Sequence, residues 1–286
     1  MPSVKLNGIE VHYEVHGEGS PLVLAHGYTA SLRMWDAQVP ALSEKYRVVI
    51  YDTRGHGATS APADMEQYSL ARDYVADQAA LMDHLGIVRA HVGGLSMGGM
   101  IAQEFALQHR ARVRSLLLFD TGPGMPGAMR DPVIRARFDQ VRDAVRKAAG
   151  ARGMAAIVEA MRNGAMAGMG RGDAPLPDAA RAHLEGMKNM NVDGYLGGAK
   201  AMQDWPGTLD RLHTIGVPSL VLVGEHDQLL AASRAMHQVI SGSRFVLLRD
   251  CWHGSCVWRP DAFLRAATEF LDDVEAGRPV SGECVL

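Results

Sequence analysis

The chain has 286 residues, with 29 Lys and Arg set against 32 Asp and Glu for a formal net charge of −3. That length suits one large domain able to bury a substantial core. The charges are interspersed, leaving neither a basic stripe for nucleic acid nor a polybasic run for an anionic membrane. No run of about 18 apolar residues is present to span a bilayer, and Met1–Lys5 has no apolar signal core. A cytoplasmic protein whose partner is a small molecule is therefore expected. The three cysteines, Cys251, Cys256 and Cys284, have neither metal-ligand nor disulfide-framework spacing, and no cofactor motif stands out.

In chain order, Ile9, Val11, Tyr13 and Val15 alternate with polar residues, which predicts an antiparallel edge strand with one wet face. Later strands are continuously apolar, as in a parallel sheet covered on both faces. Pro21–Ala25 is the first of these and leads into His26-Gly27-Tyr28. There Gly27 permits a tight turn, His26 reads as a residue that orders the loop through hydrogen bonds, and the Tyr28 ring fits either a pocket mouth or apolar packing. Arg47–Tyr51 is another short strand, followed by a polar turn from Asp52 to Ser60. Buried unpaired groups are costly, so Asp52, Arg54 and His56 are expected to bond to one another and to loop backbone. Ser69–Leu85 carries Leu70, Tyr74, Leu81 and Leu85 at helical spacing and reads as a crossover helix.

The apolar run Ala90–Val92 ends in Gly94-Leu95-Ser96-Met97-Gly98, before a helix-compatible stretch from Gly99 to His109. This is the G-x-S-x-G pattern of a nucleophile elbow, in which a strained strand-to-helix turn lifts the serine hydroxyl clear of the sheet and leaves no room for flanking side chains. A serine needs a base and an acid to orient that base. Candidates follow in the order Ser, Asp, His that accompanies this elbow. The strand Pro218–Val223 ends in Gly224-Glu225-His226-Asp227, offering Asp227 as the acid. The strand Arg244–Leu248 leads through Asp250-Cys251-Trp252 to His253, the candidate base, before the helical Pro260–Leu271. Asp120, at the end of the strand Val113–Phe119, is a second candidate acid; its other reading is a loop carboxylate capping the segment that follows. His226 precedes Asp227 directly and should diverge from it, and Cys251 lacks an elbow and should pack against the sheet end. The backbone N–H groups of Met97, at a helix N-terminus, and of Tyr28 are placed to stabilise an oxyanion.

Between about residues 121 and 205 the strand signals vanish. Pro132–Ala149, Met154–Met169 and Asp178–Met190 look helical, around a turn-rich Gly170–Pro177. Met125, Met129, Met154, Met161, Met166, Met169, Met187, Met190 and Met202 fall here, fitting helix-helix core or an adaptable apolar surface. Gly164, Gly168, Gly170 and Gly172 fit a mobile lid or simple turns. Arg135, Arg137, Arg142 and Arg146 are spaced as a solvated helix face, and Cys284-Val285-Leu286 reads as a frayed tail.

Taken together, these residues resemble the α/β-hydrolase superfamily, with the closest likeness to 3-oxoadipate enol-lactonase-like members. The likeness rests on Met34-Trp35-Asp36, the segment Tyr51–Gly57 and Gly94–Met100, and is strongest from about residue 20 to 120. It implies a mostly parallel, doubly wound sheet built from residues 1–120 and 206–286, with an α-helical cap inserted at 121–205. It also implies a cofactor-free serine hydrolase for a small to medium ester or lactone, using Ser96, Asp227 and His253 with an oxyanion hole at Tyr28 and Met97. A serine at the elbow argues against dehalogenase and epoxide-hydrolase chemistry, which uses aspartate there. A carbon-carbon bond hydrolase, a perhydrolase and a small-molecule sensor or binding module remain as alternatives.

Overall fold

The computed structural model describes residues 2–124, 132–160 and 178–286. Nine strands form one sheet among these residues: β1 (Ser3–Leu6), β2 (Ile9–His16), β3 (Ser20–Ala25), β4 (Tyr46–Tyr51), β5 (Ala90–Leu95), β6 (Val113–Phe119), β7 (Ser219–Gly224), β8 (Arg244–Leu248) and β9 (Gly282–Val285). Their spatial order is β1-β2-β4-β3-β5-β6-β7-β8-β9. The β1–β2 and β2–β4 pairs are antiparallel, and every pair from β4–β3 onward is parallel.

Eight helices concern the argument: α1 (Val75–His84), α2 (Met97–Gln108), α3 (Pro132–Ala149), α4 (Met154–Ala160), α5 (Asp178–Met187), α6 (Val192–Gln203), α7 (Leu230–Val239) and α8 (Pro260–Glu275). Residues alternate between the faces of each strand, so the sheet feeds two cores. Val23, Val49, Val92 and Val221 meet Leu81, Phe105 and Met236 on one face. Leu22, Val48, Leu117 and Leu222 meet Trp35, Phe263, Phe270 and Leu271 on the other. Coverage on both sides is why β5 and β7 are buried along their whole length and why Leu220–Val223 reads as a continuous apolar run.

Several expectations are corrected. β2 is antiparallel but not an edge strand, because β1 pairs outside it with Val4 opposite Val11. Of the residues read as a frayed tail, Cys284 and Val285 belong to β9, parallel to β8 with Val246 opposite Cys284, and Leu286 N–H donates to Leu247 O at 2.9 Å. Both outer strands are four residues long, and β9 is exposed throughout, so no hydrophobic alternation announces it.

Asp52, Arg54 and His56 do not bind one another through their side chains. The Asp52 carboxylate accepts from His12 Nδ1 at 2.8 Å and from the Leu32 and Ala58 N–H groups at 2.7 and 2.9 Å. Arg54 forks onto Asp77, with bonds of 2.9 and 2.8 Å. His56 Nδ1 donates to the Arg54 carbonyl at 2.9 Å. Apart from Ala58, these partners of Asp52 and Arg54 lie 20 to 40 residues away in sequence, out of reach of local reasoning.

Between β6 and β7 the described residues form α3–α6 and no strand. Met154 and Met187 pack with Ala149, Ile157 and Val158 as helix-helix core. The helix expected over Met154–Met169 is described as far as Ala160. Met125, Met129, Met161, Met166, Met169, the turn-rich stretch Gly170–Pro177 and the four glycines around it lie outside the described residues, as do the side chains of Arg135, Arg137 and Arg142. Arg146 is exposed and pairs with Asp193 at 3.2 Å. Helix α6 departs from the sequence pattern, because Gly194, Gly197 and Gly198 weaken its helical signal.

The start of α2 lies hard against β3. A Cβ on Gly98 would stand 2.1 Å from the Ala25 carbonyl oxygen, an overlap that only backbone movement relieves. Gly98→Ala is expected to lower the urea midpoint, at a cost of about 1–3 kcal/mol or more. A variant as stable as the parent would show that this packing is not tight.

Candidate active site

Strand β5 runs into α2 through a single residue, Ser96, whose backbone sits at φ 55° and ψ −114°. A non-glycine residue held there costs on the order of 1–3 kcal/mol and persists only where its surroundings fix it. The fixing is visible. Ser96 N–H donates to Phe119 O at 2.9 Å, and Thr121 Oγ1 donates to Ser96 O at 2.7 Å. On the other side of the turn, a Cβ on Gly94 would lie 2.3 Å from the Gly98 carbonyl carbon. The expected elbow geometry is present, and Thr121 is a supporting residue for which the sequence carries no signal.

Asp227 follows β7 and His253 follows β8, so the parallel sheet brings them to the same end as Ser96. His253 Nδ1 lies 2.9 Å from Asp227 Oδ2, and Asp227 Oδ1 accepts the Leu229 N–H at 2.8 Å. A carboxylate only accepts, so the imidazole carries its proton on Nδ1 and leaves Nε2 with a free lone pair. Trp258 Nε1 donates to the His253 carbonyl at 2.8 Å and steadies the loop. The Asp227 side chain is fully covered, whereas that of His253 is 34% exposed. Among the described residues Ser96 Oγ makes no hydrogen bond, which leaves it available to an incoming group.

Burial pulls the His253 pKa down, but the Asp227 hydrogen bond and the charges of Asp120 and Asp227 outweigh it, and the net shift is upward. Asp120 does not contact the imidazole by hydrogen bond. Its Oδ1 accepts the Gly224 N–H at 3.2 Å and its Oδ2 accepts those of Gly254 and Ser255 at 3.1 and 2.6 Å. Burial, reinforced by the nearby Asp227 charge, pushes its carboxyl up to about 6 against the opposing pull of His253 and Ser255. Asp120 therefore binds backbone at three points, one at the end of β7 and two just after His253. It neither holds the imidazole nor caps the segment after it.

The loop after β3 lies on the elbow, since a Cβ on Gly27 would be 3.6 Å from Ser96 Cβ. His26 orders it as expected. Its Nε2 accepts the Thr53 N–H at 3.0 Å, so its Nδ1–H donates to Gly27 O at 2.7 Å. Among the described residues neither the Met97 nor the Tyr28 N–H donates a hydrogen bond, although Met97 is fully buried. Unspent donors of this kind are rare in protein interiors and are what an oxyanion requires. The Tyr28 ring stacks on Tyr195 of α6, with centroids 5.3 Å apart, which is the packing contact expected of it.

His226 turns away from Asp227 and lies against Trp252 at 4.7 Å. Cys251 is buried at the sheet end, and burial with the Asp120 charge pushes its thiol up to about 12, so it stays protonated. Among the described residues Glu225, His226 and Asp250 form the one group with metal-ligand character, all exposed, with ligand atoms within 4.8 Å of one another. No helix there is long and apolar enough to cross a membrane.

Residues 20–260 match the family described as the alpha/beta hydrolase fold, and the chain belongs to it. It is 30% identical to epoxide hydrolase A of Mycobacterium tuberculosis, across 95% of this chain and 97% of the relative. It is 27% identical to a non-heme haloperoxidase of Rhodococcus erythropolis, across 95% of this chain and all of that one. The enol-lactonase structure from Burkholderia xenovorans superposes with a TM-score of 0.77 at 29% identity, covering 95% of this chain and 100% of that one. The expected α/β-hydrolase fold and superfamily are thus established.

Because the folded pKa of His253 is raised, its protonated pair with Asp227 adds stability in full below about pH 6.5, the ordinary histidine value. That contribution is lost as pH rises through the folded value. A titration of the His253 ring by NMR should give a midpoint above 6.5, and Asp227→Asn should bring it down, since burial then acts with less opposition. A midpoint indifferent to Asp227→Asn would contradict the pairing.

Proposed function

We propose that this α/β-hydrolase is a serine hydrolase acting on a small to medium carboxylic ester or lactone through an acyl-enzyme, without a cofactor. The reading rests above all on one observation. An imidazole fixed by Asp227 at 2.9 Å shares the sheet end with a serine held in a strained elbow. In this scheme His253 Nε2 takes the Ser96 proton as Oγ attacks the carbonyl carbon, and Asp227 stabilises the imidazolium. The N–H groups of Met97 and Tyr28 receive the charge on the carbonyl oxygen. The alcohol leaves with the proton from His253, and water repeats the attack to release the acid.

Residues 121–205 would form the cap over this site, with residues 1–120 and 206–286 as the core. The relatives' names span different chemistries, and the residue at the elbow discriminates among them: a serine supports acyl transfer. The likeness to a haloperoxidase adds a second reading, in which peroxide replaces water in deacylation; dependence of an oxidation assay on peroxide and a carboxylic acid would identify it.

Ser96→Ala should abolish both turnover of an ester and lactone panel and labelling by a fluorophosphonate, while circular dichroism stays unchanged. Labelling of the variant at the parent's rate would end the assignment. kcat/KM should rise with pH through a histidine-like pKa, because only the neutral imidazole accepts a proton. Asp227→Asn should cost on the order of 10⁴ in kcat and Asp120→Asn far less. The reverse ranking, in two folded proteins, would move the acid to Asp120.

A further inference from the structure

Thr29, directly after Tyr28, has φ 65°. A β-branched residue at positive φ is a true outlier, and it lies in the loop proposed to supply an oxyanion donor. A turn closed by the Ala30 N–H on Gly27 O at 3.1 Å sets it locally, and contacts from outside the core add to the hold. Tyr28 Oη donates to the backbone carbonyl of Tyr195 at 2.6 Å, and the two rings stack with an interplanar angle of 28°. Thr29 Oγ1 spends its proton on Tyr28 O at 2.6 Å. Its second contact, to His183 Nε2 at 3.3 Å, must therefore have the imidazole as donor. Burial lowers the His183 pKa, which suits a neutral ring with its proton on Nε2.

Tyr195 belongs to α6 and His183 to α5, so two helices between β6 and β7 grip two consecutive loop residues. Helix α6 is itself seated without slack. A Cβ on Gly194 would lie 1.9 Å from Gly55 O, one on Gly197 would lie 2.5 Å from the Tyr68 ring, and one on Gly198 would lie 2.9 Å from Tyr28 Cε2. The glycines that hide this helix in the sequence let its backbone touch the core, and that contact sets where Tyr195 O stands.

We propose that His183 and Tyr195 are positioning residues that hold the Gly27–Thr29 loop in its strained form, so that the Tyr28 N–H faces the oxyanion only while α5 and α6 are docked. The proposal rests on Tyr28 being an oxyanion donor. It gives the helical segment a part in the rate of the chemical step as well as in covering the substrate.

The test uses the full chain and a fluorophosphonate probe. In that reaction Ser96 Oγ bonds to phosphorus, the P–F bond breaks, fluoride leaves, His253 takes the serine proton, and the phosphoryl oxygen enters the oxyanion site. Labelling kinetics separate the bond-forming rate constant from probe binding, whatever the natural substrate. Tyr28→Phe and His183→Ala are each expected to lower the rate constant about tenfold, less than the 10²–10³ that follows outright loss of one oxyanion donor. Probe affinity should hold, and His183→Gln, which keeps an N–H donor, should recover most of the rate. Weakened probe binding at an unchanged rate constant would overturn the proposal, because these residues would then shape the pocket alone. So would a lower melting temperature with both constants unchanged. Tyr28→Phe removes one oxygen, and keeps the test in force should His183→Ala not fold. Labelling that survives Ser96→Ala would defeat the nucleophile assignment and the proposal together, whereas Ser96-dependent labelling indifferent to these variants would defeat the proposal alone.

Discussion

Asp120 carries a carboxylate with no access to solvent, and the end of the sheet that holds Ser96, Asp227 and His253 depends on how that carboxylate is satisfied. Parallel strands stop at their C-terminal ends with N–H groups that the ladder no longer uses. Here the one from Gly224, at the end of β7, joins those of Gly254 and Ser255, at the start of the short helix Ser255–Trp258, and all three converge on one side chain. Charge-assisted bonds of this kind are roughly twice as strong as neutral ones, and together they tie the end of β6 to the end of β7 and to the loop after His253. Asp120 N–H in turn donates to Leu222 O at 2.9 Å. The distance between Asp227 and His253 is thereby fixed by a group that touches neither of them by hydrogen bond. The same burial holds the Asp120 pKa near 6, and its negative charge helps raise that of His253.

A second polar unit performs the matching task on the other side of the elbow. The Thr53 N–H, His26 and Gly27 O form a continuous chain of hydrogen bonds, linking the turn after β4 to the loop after β3. That turn is anchored by Asp52 to His12 and to the Leu32 and Ala58 backbone, and by Arg54 to Asp77, both 3% exposed at the side chain. Buried charges are expensive unless paired and fully hydrogen-bonded. These are both, which accounts for a turn crowded with charged and aromatic polar residues that the proposed chemistry does not use. The chain through His26 ties the turn to the loop that carries Gly27, which lies on the elbow.

The sequence is most legible where burial is two-sided or sterics are absolute. β6 and β8 match the predicted ranges residue for residue, because Leu116–Phe119 and Phe245–Leu248 are continuous apolar runs. Ser96 is legible because so sharp a strand-to-helix turn leaves room only for glycine at positions 94 and 98, and the pattern survives in any reading frame of local propensity. Chain order narrows the partner of His253 to Asp120 or Asp227, and the 2.9 Å contact in the fold selects Asp227. β1 and β9 are not legible, since short outer strands owe their stability to backbone hydrogen bonds that any sequence can make. Nor is α6. Its glycines weaken helix propensity by roughly 1 kcal/mol each, and tertiary contact with Gly55, Tyr68 and Tyr28 overrides that loss. The backbone strain at Thr29 and the grip of His183 on it are products of assembly and leave no mark in local sequence.

Among the relatives of this chain are an epoxide hydrolase and a haloperoxidase, with a lactonase among its structural neighbours, so the fold constrains the chemistry less than the residues placed on it. Those placements are of two kinds here. Ser96, Asp227 and His253 sit on strand ends locked by the Asp120 carboxylate, and change there would disturb the whole end of the sheet. The Gly27–Thr29 loop is anchored at one end by His26 and at the other by α5 and α6, which belong to the segment between β6 and β7. Loops and insertions are where related proteins diverge while a rigid scaffold persists. A segment proposed both to cover the site and to hold one of its proposed oxyanion donors would act on the rate whenever its substrate contacts changed. Under the proposal, selectivity and turnover are coupled through Tyr28, whose ring lies against Tyr195 of α6.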